Sequence, residues 1–200
     1  MFHVKHVMSA AAHSGVELDG KKIDLLRRYG EWLADEGIRA GGLGPGETDR
    51  IEQRHLADSL LFAGQFSSGA GEVLDLGSGV GLPGIPLAIV MPETGFTLID
   101  RSGRRVDLCR RVTRILGLEN CRVVKGDIET VGIRGDVVVS RASLPPDRLL
   151  PLLPDLMKTP GVAIVAGSWT RRPGIEGWAT IEIPPDVLDR PIWLLMMRRE

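Results

Sequence analysis

The chain has 200 residues, 43% of them hydrophobic, with 25 Lys and Arg against 26 Asp and Glu and a net charge of −1. That length suits one α/β domain with an appendage and allows a substantial buried core. Near neutrality excludes bulk electrostatic capture of nucleic acid, so any RNA contact must come from local patches. No apolar run approaches the roughly 18 residues of a membrane span. The start of the chain lacks the long apolar stretch of a signal peptide, so a cytoplasmic protein is expected. The two cysteines, Cys109 and Cys121, sit in apolar patterns without metal-ligand spacing, which predicts two buried, reduced thiols and no metal.

In chain order, residues 1–20 are weakly patterned and predict a mobile or loosely docked leader. Lys22 to Ala34 places Ile23, Leu26, Tyr29, Trp32 and Leu33 at helical spacing. Gly37 and the glycine-rich run Gly41–Gly46 end that helix. A second helix is expected from Glu47, Thr48 and Asp49, whose acids suit a helix start, to about Gln65. These helices make residues 1–66 a leader and N-terminal cap, with residues 67–200 as the main domain.

The main domain opens on Val73–Leu76, an apolar β-like run that meets four glycines, Gly77, Gly79, Gly81 and Gly84. A helical pattern from Ile85 to Val90 follows. This is a strand, a tight turn and a helix N-terminus, where the backbone can approach a ligand closely. Strands are then expected at Gly95–Asp100, Cys121–Val124, Asp136–Ser140 and Val162–Val165, with helices at Arg104–Leu116 and Asp147–Met157. Ala179–Ile183 and Ile192–Met197 add two strands that suit an antiparallel edge pair. The alternation predicts an α/β fold with a mainly parallel seven-stranded sheet and helices on both faces.

Gly79, Gly81 and Gly84 spell the dinucleotide fingerprint G-x-G-x-x-G, which alone is a weak signal. Asp75, two residues before Gly77, changes its meaning. A carboxylate at the strand tip repels a pyrophosphate but suits a phosphate-free cofactor carrying an ammonium and a sulfonium. The spacing therefore favours S-adenosylmethionine over NAD, with an ordinary glycine-rich turn as the third possibility. Asp75, Gly77, Ser78, Gly79, Gly81, Leu82 and Pro83 form the candidate cofactor loop. Asp100, with Arg101 after it, ends the second strand, where an acid can accept from ribose hydroxyls or simply cap the next helix. Asp127 and Ile128 follow the third strand and could read an adenine edge, or Asp127 could cap the segment after it.

The fourth strand ends at Ser140-Arg141-Ala142-Ser143-Leu144-Pro145-Pro146. No Asn/Asp-Pro-Pro-aromatic motif is present to polarise an exocyclic amine. No cysteine stands in the loops after the fourth or fifth strand, so covalent activation of a pyrimidine is not available. A nucleophile with a free lone pair, such as guanine N7, remains. Arg141 is the candidate acceptor-site residue, able to grip guanine O6 or a phosphate, or else to form a surface salt bridge. Arg104, Arg110, Arg111 and Arg114 lie opposite the apolar face of their helix; Arg104, Arg111 and Arg114 are candidate RNA contacts, although such faces are often only solvated. His55 and Asp58 lie one turn apart, and His55 is expected to pack and hydrogen-bond rather than catalyse.

The block Asp75–Pro92, with Pro83 and Pro86 inside its glycine loop and helix start, closely resembles the bacterial ribosomal small-subunit methyltransferase G family. Arg54 to Ser59 resembles the family's His-x-x-Asp-Ser helix. Phe96–Asp100, Arg104–Val106, Leu116–Leu118 and Val139–Ala142 match as well. The resemblance covers roughly residues 22–168. It implies a class I S-adenosylmethionine-dependent methyltransferase with a Rossmann-like sheet and a small N-terminal helical cap. It also implies N7 methylation of a guanine in the 530 loop of 16S rRNA, with that rRNA or the small ribosomal subunit as partner; a monomer is expected. By position, the glycine loop, Asp100 and Arg141 would serve the cofactor, Arg141 would also meet RNA or the acceptor, and Arg190 would contact RNA. Ala166 stands where the family has a lysine, Asp127 where it has an arginine, and the glycine-rich run replaces an Asn-Leu-Thr segment. Those departures keep open a relative that acts on another RNA site or a small molecule, or one that binds S-adenosylmethionine without turnover.

Overall fold

The computed structural model describes residues 4–167 and 169–200. Five strands run parallel: β1 (Glu72–Leu76), β2 (Gly95–Asp100), β3 (Cys121–Lys125), β4 (Gly135–Arg141) and β5 (Met157–Ala166). β7 (Ile192–Arg199) runs antiparallel to both β5 and β6 (Ala179–Ile183). The seven-stranded sheet has the order β3-β2-β1-β4-β5-β7-β6. The expected antiparallel pair is present, with β7 inserted between β5 and the edge strand β6. The order reverses between β1 and β4, the kind of crevice where doubly wound sheets take ligands.

Strand residues divide by parity, because successive side chains point to opposite faces. Val73, Phe96, Val137, Val139 and Ile164 join a large apolar cluster with the N-terminal segments, among them α2 (Gly20–Trp32), and with α4 (Gly84–Val90) and α5 (Gly103–Leu116). Leu74, Leu76, Ile99, Val138 and Val165 face a smaller cluster on the other side. On α5 the residues Val106, Cys109, Val112, Thr113 and Leu116 are buried, as their spacing predicts. Gly117, in the left-handed region at φ 66°, closes that helix.

Three local expectations are corrected. The leader is not loosely docked: α1 (Lys5–His13) buries Val7, Ala10 and Ala11 against the Ile51–Ala57 segment and α8 (Pro185–Leu188). Two small side chains and a valine on one face let that helix approach closely. The helix expected from Glu47 to Gln65 is instead a 3-10 turn (Pro45–Arg50), a π-helical stretch (Ile51–Ala57), a short α3 (Asp58–Leu60) and a 3-10 turn (Ala63–Gln65). The helix expected over Asp147–Met157 breaks into α6 (Pro146–Leu149), a 3-10 turn (Leu150–Leu152) and α7 (Leu153–Leu156). Pro151 and Pro154 remove amide donors there and prevent a continuous ladder.

Candidate active site

At the β1–β4 switch point a cavity of about 420 Å³ opens, lined by Gly77, Ser78, Gly79, Val80, Leu82, Asp100, Arg101, Asp127, Ile128 and Arg141 among others. Most of the expected cofactor residues thus meet in one place. Gly42 and Leu43, from the glycine-rich run before the second helical segment, form part of its wall. Gly79 has φ +63°, and a Cβ built there would meet nothing nearer than Gly77 O at 4.0 Å. This glycine offers both the left-handed backbone and open space for close approach of a ligand.

The loop is held from several directions. The Gly77 and Ser78 amides donate to Ile99 O at 2.8 and 3.0 Å. The Gly79 amide donates to Asp100 Oδ2 at 3.0 Å. Cys109 donates its thiol to Gly79 O at 3.2 Å, and Tyr29 its hydroxyl to Val80 O at 2.9 Å. Burial raises the pKa of both groups well above its ordinary value, so both remain protonated donors. Asp100 also accepts from the Ser102 amide at 2.8 Å and from Arg105 Nε at 3.0 Å, which fixes its carboxylate at the cavity edge. Asp127 is exposed and accepts from the Glu129 amide at 3.1 Å, so it caps its own turn while lining the cavity.

Asp75, Gly81 and Pro83 are placed differently from the expectation of direct cofactor contact, since none of them lines the cavity. Asp75 is wholly buried. Its Oδ2 accepts from the Ser78 hydroxyl and, at 2.9 Å, from the Gly84 amide, while its Oδ1 has no partner. Burial pushes its pKa up to about 6, against the lowering effect of those two hydrogen bonds. The carboxylate braces the loop from beneath, and repulsion of a pyrophosphate at the strand tip is not its visible role. A Cβ at Gly81 would fall 2.2 Å from Ile85 Cδ1, so that glycine serves packing.

A second cavity, of about 380 Å³, lies beside the first and is lined by Arg54, His55, Asp58, Ala166, Gly167, Trp169 and Arg190 among others. Arg141 and Ala142 line both cavities. Arg190 donates through Nη2 to both oxygens of Asp58, at 2.8 and 2.7 Å. Burial raises the Asp58 pKa, and the neighbouring Arg190 and Arg141 oppose that rise. Arg141 is not in a surface salt bridge: it donates to Arg54 O at 2.9 Å and to His55 Nδ1 at 3.0 Å. His55 Nε2 in turn lies 3.0 Å from Glu47 Oε2. Burial first, and then the adjacent Arg141, lower the His55 pKa to about 4.

The expected RNA contacts fare unevenly. Arg104, Arg111 and Arg114 are exposed on α5, but Arg111 is paired with Glu36 at 2.8 Å. Arg190 is half-buried and committed to Asp58. Cys109 is buried as expected, whereas Cys121 is half-buried. Among the described residues no cluster of three His, Cys, Asp or Glu side chains could hold a metal, and no helix is long and apolar enough to cross a membrane. Sequence reasoning missed Gly42, Leu43, Glu47 and Trp169 as site residues, and gave Tyr29 and Cys109 only packing roles. Of these, Glu47 had one available signal, an acid spaced eight residues before His55 at the family's motif helix.

A sequence profile described as rRNA small subunit methyltransferase G matches residues 22–170. A ribosomal RNA small subunit methyltransferase G of Thermobifida fusca (strain YX) is 40% identical over 143 residues, covering 68% of this chain and 60% of that protein. One of Mycobacterium leprae (strain Br4923) is 38% identical over 179 residues, covering 76% of this chain and 71% of that protein. The chain spans 60% and 64% of the length of the Thermobifida fusca and Mycobacterium marinum relatives. In fold it resembles a SAM-dependent methyltransferase from Aquifex aeolicus, with a TM-score of 0.57 at 16% identity over 80% of this chain and 96% of that one. It also resembles a mutant of MtNAS solved in complex with S-adenosylmethionine, with a TM-score of 0.60 at 19% identity over 88% of this chain and 73% of that one. Together with the glycine–proline block and the seven-stranded sheet, these matches mean that the chain belongs to the rRNA small subunit methyltransferase G family.

Proposed function

We propose that this chain binds S-adenosylmethionine in the switch-point cavity and transfers its methyl group to N7 of a guanine in the 530 loop of 16S rRNA. The observation that carries the reading is that Arg141 lines both the switch-point cavity and the smaller cavity beside it. One guanidinium thus stands where a methyl donor and an acceptor base would meet. Family membership and the name of its relatives support the rRNA substrate.

The residues present fit the cofactor. A cavity of about 420 Å³ lies in the range of small-molecule sites, and Gly79 leaves open the space that a Cβ would fill. When bound, S-adenosylmethionine supplies a methyl group activated by a sulfonium leaving group. Asp100, anchored by the Gly79 and Ser102 amides, retains acceptor capacity for ribose hydroxyls. Asp127 and the Ile128 amide offer an acceptor and a donor for an adenine edge. Guanine N7 already carries a free lone pair, so the chain needs no general base and contributes mainly alignment. Arg141 supplies that alignment through O6 or a phosphate oxygen, and the product carries a fixed positive charge on the purine.

The absence of cations at Ala166 and Asp127, where the family carries them, favours as a second reading a methyltransferase of the same fold with a different acceptor. Methyl transfer from labelled cofactor to undermethylated 30S subunits, naked 16S rRNA and a small-molecule panel separates the two. Label in rRNA that is retained on a guanine whose imidazole ring opens in alkali supports the first reading; label only in small molecules supports the second. Binding of the cofactor with no transfer to any acceptor would leave a non-catalytic binding protein. The only exposed large hydrophobics among the described residues are Val4, Met8 and Ile115, which supports a chain that works as a monomer.

A further inference from the structure

Arg141, which lines both cavities, is bonded to a chain of further side chains that the methyl transfer itself does not use. Arg141 is anchored twice by the π-helical stretch Ile51–Ala57, through the Arg54 carbonyl and the His55 ring. A guanidinium can only donate and a carboxylate can only accept. With Arg141 donating to Nδ1, the ring must carry its single proton on Nε2, which then donates to Glu47 at 3.0 Å. Only the neutral ring can make both bonds.

We propose that His55 is a positioning residue, which ties Arg141 to Glu47 and thereby to the segment that walls the cofactor cavity. This rests on the methyl-transfer reading above. Glu47 directly follows the run Gly41–Gly46, whose Gly42 and Leu43 line that cavity. The run is pressed onto the glycine loop: a Cβ at Gly42 would fall 2.0 Å from Val80 Cγ1. One end of the tether therefore rests on the cofactor's wall and the other holds the residue shared with the acceptor cavity. The charged groups around the ring are Glu47, Arg54 and Arg141, and Arg54 Nη1 itself lies 3.5 Å from Glu47. Burial and the two arginines keep the ring neutral, as the double bond pattern requires.

Two substitutions separate the halves of the ring. Asn places an amide oxygen near the position of Nδ1 and keeps the acceptor for Arg141. Gln places an amide N–H near Nε2 and keeps only the donor to Glu47. His55→Gln is expected to lower kcat roughly 100-fold, the scale of a misaligned reacting group, with cofactor Kd by calorimetry unchanged. His55→Asn is expected to recover most of that loss. Equal losses in both variants, or none in His55→Gln, would overturn the positioning of Arg141 through Nδ1. Nitrogen-15 NMR of the Arg141 guanidinium in the cofactor-loaded full chain reads it without turnover. Restrained Nη signals are expected in the wild type and His55→Asn, and averaged signals in His55→Gln; identical spectra in all three refute it. A wild type with restrained signals but no transfer to any RNA would sink the methyl-transfer reading and leave the tether standing. If His55→Gln does not fold, Glu47→Ala, at a half-buried site, must show a smaller kcat loss of the same kind; an unchanged kcat overturns the proposal.

Discussion

The carboxylate of Asp75 accepts the amide of Gly84, nine residues along the chain, at 2.9 Å, and so joins the tip of β1 to the first residue of α4 across the glycine loop. The Ser78 hydroxyl donates to the same oxygen from inside the loop. One side chain thus holds the loop at its middle and at its exit. Asp75→Ala is expected to leave two buried donors without partners, at about 1–3 kcal/mol for each. Denaturant unfolding should show that loss, and an unchanged midpoint would remove the brace from the account.

Asp75 and His55 pull stability in opposite directions as pH changes. Asp75 is raised from 3.8 to about 6, so between those values the folded chain holds a proton that the unfolded chain has released. Its contribution therefore falls as pH rises through that window. His55 is lowered from 6.5 to about 4, so the unfolded chain holds the extra proton and stability falls on acidification. Relative to wild type, Asp75→Asn should lose stability more steeply between pH 6 and 4, and His55→Asn less steeply. Urea midpoints across that range test both signs.

Two glycines of the loop should respond differently to alanine. At Gly79, with φ +63° and free space, the cost in stability is about 1–2 kcal/mol of left-handed backbone strain. Its methyl group should chiefly obstruct cofactor binding. At Gly81, with φ +104°, a Cβ would also collide with Ile85, so unfolding should dominate. Paired denaturation and calorimetry distinguish the two, and equal effects on both measures would contradict the assignment.

RNA affinity should depend on salt through free cations more than paired ones. Arg104→Ala is expected to flatten the log–log salt slope by about one phosphate contact, roughly 0.7 for a single strand. Arg111→Ala should change it less, because Arg111 already faces Glu36 at 2.8 Å. Slopes unchanged from wild type in both variants would show that this face of α5 does not meet the phosphates.

The parts of the molecule legible in its sequence are those set by local periodicity and short turns. β1, the glycine loop, α5 and the antiparallel end strands all follow from alternation, helical spacing and glycine placement. Expectations failed where distant packing overrides local pattern. The leader docks because Val7 and two alanines find a groove formed by segments far along the chain. The second helical segment widens to π geometry around His55, and no residue in that stretch announces it.

The sequence by itself determined the fold family and the glycine loop, because a strand, a glycine turn and acids at strand ends are short-range patterns with strong physical constraints. Only the tertiary structure decided what those side chains do. Asp75 turned inward to brace the loop since burial and two nearby donors claim its oxygen. Arg141 found His55, 86 residues away, because β4 ends beside the π-helical stretch. Such partners depend on how elements pack, and linear spacing carries no information about that.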